Sequence, residues 1–327
     1  MASDNHITRM IAGFRNCFKI PELKERIIFT LLVLGVCRLI AWVPIPGLDG
    51  VELQNYFDQL REKQSDGGIG FMGMYSMFTG GAWERCSIGG LGIMPYISAT
   101  IILQLMSPII PRLSRLSREE GGRVKIMQIG RVMTLFLCLG QGYVMSLGWL
   151  SPGTVFGGGW TGGDLVLNPG FWYHIQTMMA LTCGTLLLMW LGEQITARGI
   201  GNGISLIIFV GIIAEVPAAI AQFFASGRSG AISPAVIVGV LVMVIATIMF
   251  VVFMERALRK IHIQYPRRQV GMKMYDGGTS HLPVKVNPAG VIPAIFASSL
   301  LLLPTTISTF SSGSASGPVM SWLLANF

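Results

Sequence analysis

The sequence predicts an all-α, multi-spanning membrane bundle, and three observations carry that prediction. Of 327 residues, 52% are hydrophobic and only 12% are charged, about half the charged share of a soluble domain. The apolar residues gather in runs close to the roughly 20 residues that a helix needs to cross a hydrocarbon core of about 30 Å. The basic residues between those runs alternate from rich to poor, as they do in a chain that threads a bilayer.

Seven spans are expected. The first is Ile27–Val43, stopped by Pro44-Ile45-Pro46-Gly47, since proline cannot continue a helix. The second is Ser87–Met106, the third Ile126–Gly148 and the fourth Trp172–Leu191. The fifth is Ile204–Phe224, the sixth Ala235–Met254 and the seventh Val291–Phe310. Residues 1–26 are polar and amphipathic and run into the first span without a small-residue cleavage site, so no cleavable leader is expected.

Lysine and arginine assign the sides. Segment 1–26 holds five, loop 107–125 five, loop 192–203 Arg198 alone and loop 255–290 seven. On the alternate side, loop 44–86 holds three beside six acids, loop 149–171 none, loop 225–234 Arg228 alone and the tail none. Eighteen against four puts the N-terminus in the cytoplasm. The net charge of +8 then reads as a topology signal and not as a nucleic-acid surface. Arg38 and Arg131 fall within spans near their ends, where snorkelling to the interface is expected.

Three segments are not ordinary loops. Residues 69–82 are apolar and glycine-rich but too short to span, which fits a re-entrant element packed inside protein and equally a surface-lying amphipathic helix. Residues 152–170 read as an external, uncharged linker. Residues 255–289 are basic and partly alternating. Asp276-Gly277-Gly278 is a turn signal between Val270–Tyr275 and His281–Val286, so a hairpin-like projection is expected.

Catalytic constellations are missing. There is no HExxH and no phosphate-binding loop, and the histidines (His6, His174, His262, His281) fall outside span interiors. The five cysteines show no metal or redox spacing and read as packing residues. Glu193 and Glu215 are placed at or near span ends, leaving no acid mid-span, whereas coupled transporters keep ionisable groups near the midplane. No cofactor and no enzymatic activity are therefore expected. A multi-pass small-solute transporter stays as the alternative reading; it would need a polar midplane site.

Ile93 and Ile97, and Ile204 and Ile208, are each four apart and share a helix face. Spacing alone assigns such pairs to lipid or core contact. Pro95 between the first pair should bend its helix. Ser98, Gln104 and Gln141 lie within spans and Asn287 just before one. Ordinary interhelical hydrogen bonding, worth about 0.6–2 kcal/mol each, accounts for them.

Several long motifs carry a resemblance. They are Leu91–Ser98 (LGIMPYIS), Leu191–Gly203 (LGEQITARGIGNG), Lys285–Ser299 (KVNPAGVIPAIFASS), Pro44–Gly47 and Met77–Ala82 (MFTGGA). Together, and in their order along the chain, they resemble the SecY family of bacterial protein-translocation channels, over a stretch from about Ile20 to the end of the seventh span. The resemblance implies an hourglass pore from two inverted five-helix halves. Residues 27–224 would form the first half, and 225–327 the start of the second, with two of its helices.

It further implies a pore ring at Ile93, Ile97, Ile204, Ile208 and Ile295, and a plug at 69–82 with Phe71, Met72, Met74, Met77 and Phe78. Ser98, Gln104, Gln141 and Asn287 match lateral-gate positions. The loop 255–289 matches the docking site for the ribosome or the SecA motor, through Arg256, Arg259, Lys260, Arg267 and Arg268. The implied partners are SecE, SecG, SecA or the ribosome, precursor polypeptides with signal sequences, and lipid, with no direct nucleic-acid substrate. The implied place is the bacterial inner membrane. The family has ten spans, so three beyond Phe327 are expected to be missing, and a seven-span piece is not expected to form a sealed pore alone.

Overall fold

A computed structural model describes residues 19–55, 76, 79–119, 121–150, 165–228, 233–264, 268–270, 273–275 and 279–287. The seventh expected span lies outside them. The described residues are mostly helical: α1 (Pro21–Ile40), α2 (Met94–Ile109), α3 (Pro111–Arg118), α4 (Gly122–Leu150), α5 (Phe171–Arg198), α6 (Gly203–Arg228) and α7 (Pro234–Arg256). Strands β1 (Leu258–Gln264), β2 (Arg268–Val270), β3 (Lys273–Tyr275) and β4 (Thr279–Lys285) follow. Among the described residues, α4 from Val124, α5, α6 and α7 are long and apolar enough to cross a membrane, and α2 is a shorter apolar helix. The chain divides into two compact units, and the boundary after Pro217 falls within α6.

In the first unit, α1 starts on Pro21, where the missing N–H costs nothing. Thr30, Leu34 and Cys37 form its buried stripe, while Leu31, Leu32, Val36 and Leu39 face outward. That split follows the helical period. Helix α4 is 29 residues, about 43 Å at 1.5 Å per residue, and reaches past the hydrocarbon on its own length. It packs on α5 with little between the backbones: a Cβ on Gly142 would stand 3.3 Å from the Met178 Cα. Small residues serve this purpose where lipid gives helices no hydrophobic reason to associate.

Two departures from the sequence expectation concern α2. Residues 80–93 are a chain of turns, so the helix begins at Met94 and not at Ser87. Pro95 lies in its first turn and starts the helix where it was expected to bend it. The proline inside α2 is Pro108, close to the end.

The connecting segments share a core with α4 and α5. Ile45, Leu48, Leu53, Trp83, Cys86, Leu91, Leu165 and Leu181 are buried together. Asp49 N–H donates to the Leu165 carbonyl at 3.0 Å, and Ile45 N–H to the Cys86 carbonyl at 2.9 Å. Burial pushes the Cys86 thiol up to about 12, with the negative charge of Asp49 adding to it.

In the second unit, α7 has no buried residue and presents Val, Ile, Met and Phe all round, the pattern of a helix meant for lipid. The basic projection is a two-strand ladder, as expected in kind but not in pairing. β4 pairs with β1 over seven residues, from Leu258 with Lys285 to Gln264 with Thr279. Val270 and Lys273–Tyr275, from the segment expected to pair with 281–286, instead belong to a separate pair of β2 with β3. A turn signal marks where a chain reverses and does not say which strand receives it.

Candidate functional site

The motif Leu191–Gly203 ends α5 and begins α6. Thr196 Oγ donates to the Gly192 carbonyl at 2.9 Å and accepts from Gly203 N–H at 2.9 Å. Asn202 Oδ1 accepts from Ile204 N–H at 3.1 Å, capping α6 in the way asparagine caps a helix start. Gly201 takes φ +73°, a backbone few other residues adopt. Thr30 of α1 accepts from Ile200 N–H at 3.2 Å, so three helices fix this corner. A Cβ on Gly203 would overlap the Gly192 carbonyl, so the two helices meet at backbone distance.

This corner sets the aim of α6. Ile208 is buried and lines a small cavity with Ile93, Leu34, Cys37, Arg38 and Leu188. Its volume is about 30 Å³, room for about one water. Ile93 is the residue that caps α2, and Ile97, one turn on, is also buried. Ile204 is half-buried and packs over Gly192. The structure thus brings Ile93 and Ile208 to one cavity, while Ile97 and Ile204 do not line it. Ile295 lies outside the described residues.

The segment before α2 lines the same cavity. Thr79, Gly89 and Gly92 belong to its lining. Gly80, Gly81 and Gly92 all have positive φ, as does Cys86. Ser76 Oγ donates to buried Glu84 at 2.6 Å, Gly81 N–H donates to the Ser76 carbonyl at 3.0 Å, and Thr79 Oγ to that carbonyl at 3.1 Å. The expected plug residues Phe71, Met72, Met74, Met77 and Phe78 lie outside the described residues.

Charge surrounds this turn in a way the sequence reading missed. Arg38 Nη1 reaches the Gly80 carbonyl at 3.5 Å. Glu215 stands beside Gly81 and attracts Arg38, which Arg85 opposes. Glu215 lies midway along α6, so placing it near a span end was wrong, and the argument against a carrier from missing mid-span acids falls. Arg85 also caps the Trp42 ring at 3.9 Å. Arg131 pairs with Glu193 of α5, with contacts of 3.0 and 2.7 Å. The visible signal was a lone arginine and a lone acid near matching ends of adjacent spans.

The expected gate residues are dispersed. Ser98 and Gln104 lie on α2 and Gln141 on α4; Ser98 and Gln141 are half-buried and Gln104 is exposed. Among the described residues no hydrogen bond joins them. Asn287 is exposed, two residues after β4. Arg256 ends α7, and Arg259 and Lys260 lie on β1, all exposed. Arg268 lies on β2, and Arg267 is outside the described residues.

Comparison with known proteins places these features. The sequence model of the SecY family matches residues 87–326. The protein translocase subunit SecY of Rickettsia typhi is 46% identical over 295 residues, 90% of this chain and 65% of that protein. The same subunit of Escherichia coli K12 is 46% identical over 303 residues, 92% of this chain and 65% of that one. The chain therefore spans about 65% of the length of the curated relatives it matches. Among solved structures, a protein-conducting channel aligns with TM-score 0.59 and 17% identity, covering 88% of this chain and 58% of that one. Sec61 from a canine ribosome–channel complex aligns with TM-score 0.58 and 17% identity, covering 88% and 59%. These likenesses carry the fold of a multi-pass helical membrane channel.

Proposed function

The chain belongs to the SecY family, and we propose that it forms pore wall and sideways exit in a protein-conducting channel. On this reading it passes unfolded polypeptides across the bacterial inner membrane and releases apolar segments into lipid. It lies with its N-terminus in the cytoplasm and performs no catalysis of its own. SecE and SecG are its membrane partners, and SecA or the ribosome drives transport from the surface of the β1–β4 projection.

One observation carries the reading. Ile93 and Ile208 stand more than a hundred positions apart and meet at one cavity. Aliphatic side chains offer an ion no replacement for its water, so such a waist resists ions at large cost. They have no fixed hydrogen-bonding pattern, so they can yield to a polypeptide of any sequence. Ile97, Ile204 and Ile295 complete the ring, and residues 69–82 form the plug, anchored at Gly80 by Arg38. Ser98, Gln104, Gln141 and Asn287 set a modest polar threshold for parting the gate helices. Apolar segments of about 20 residues would then leave into lipid.

The test is contact with cargo. Photo-crosslinkers at positions 93 and 208 of the assembled translocase should each capture an arrested precursor. Capture of lipid alone at both positions would overturn the reading.

A further inference from the structure

The β1–β4 ladder sets two histidines directly opposite each other: His262 pairs with His281. Their ring centroids are 4.1 Å apart at an interplanar angle of 71°. Both side chains are exposed. Residues opposite in register point to one face of the sheet, so the two imidazoles share a face by construction. Neither ring serves the cavity at Ile93 and Ile208 or the helix corner, and no role described so far uses them.

We propose that His262 and His281 form a two-imidazole site for a borderline transition-metal ion such as Zn²⁺, Ni²⁺ or Cu²⁺. Imidazole nitrogen suits these metals and binds zinc at about 2.0–2.1 Å. Two rings already this close need only side-chain rotation to aim a nitrogen each at one ion. The pair lies inside the seven-residue ladder, so the backbone is ordered before the metal arrives. The surroundings select the class of ion. Among the described residues of 257–287 there is no Asp or Glu, and Ca²⁺ and Mg²⁺ require oxygen ligands. Lys260, two positions along on the same face, repels any cation held by charge alone. Water fills the remaining coordination positions.

The test uses the full chain, purified in detergent without a histidine tag and titrated with Zn²⁺ alone. One ion should bind per chain, and binding should slow proteolysis across Leu258–Lys285. Changes outside the ligand set already weaken metal sites by about tenfold or more, so His262→Asn and His281→Asn should each weaken binding at least that much. His6→Asn should leave it unchanged. Mg²⁺ at the same concentration should give no protection. Absence of a saturable site, binding by either ladder variant equal to that of the unaltered chain, or equal protection by Mg²⁺ would overturn the proposal and leave the rings as an edge-to-face pair.

Discussion

Arg131 and Glu193 meet as fork on fork: Nε stands 3.0 Å from one carboxylate oxygen and Nη2 2.7 Å from the other. This two-point contact joins α4 to α5, and it asks for a planar donor. The side chains remain 46% and 22% exposed, so solvent screens the pair. A double-mutant cycle of Arg131→Ala with Glu193→Gln should give a coupling of about 0.2–1 kcal/mol. Arg131→Lys should recover only part of it. Thermal unfolding in detergent at low and high salt measures both, and a coupling independent of salt would count against the pair.

Gly184 and Gly140 make a controlled comparison. A Cβ on Gly184 would strike the Ile88 carbonyl, a backbone atom that cannot rotate away, whereas nothing lies within 4 Å of one on Gly140. Gly184→Ala should lower stability by about 1–3 kcal/mol. Gly140→Ala should raise it by up to about 1 kcal/mol, since alanine is the better helix former. Unfolding temperatures of the two variants should therefore move in opposite directions.

Replacing Ile93 and Ile208 together by Ser should raise ion leak through the assembled channel, because hydroxyls offer a passing ion partial replacement for its water. Conductance of planar bilayers reports this. An unchanged leak would count against the ring assignment for these two residues.

How much of this was legible without coordinates differs by kind of information. Loop charge and run length depend on residue counts, and they found α4 through α7. Pairing depends on which surfaces meet, and single residues do not encode it. Pro95 fits the start of a helix as well as a bend in one, and only the turns at 80–93 decide between them. Glu215 was misread because its relation to Gly81 and Arg38 joins α6, a turn and α1, which are far apart in the chain. The His262–His281 pair was hidden for the same reason: neither histidine has a metal-like spacing until β4 lies against β1.

Charge reversal on the projection should separate docking from topology. Arg259→Glu with Lys260→Glu, and Arg267→Glu with Arg268→Glu, should weaken binding of SecA or ribosomes most at low salt. Added salt should shrink the difference, since exposed charges are screened within about 10 Å at 0.1 M. Equal affinity at low salt would count against docking at these residues.

The buried thiol of Cys86 offers a readout of packing. Its folded pKa is raised from 9.0 to about 12 by burial. The stability it contributes is full below pH 9 and is lost as pH rises towards 12. Between pH 7 and 9 a maleimide should spare Cys86, which is buried. Early labelling of Cys86 would show that the segment between α1 and α2 opens.

The seven-residue ladder between β1 and β4 also limits how this projection can change length during descent. Losing one residue from one strand would shift register and turn every later side chain to the opposite face. The exposed basic residues and the opposed histidines would then part company. Losing one residue from each strand at matched positions would shorten the arm and keep both faces. Length variants should therefore arise as coordinated changes on the two strands, with single insertions confined to the tip.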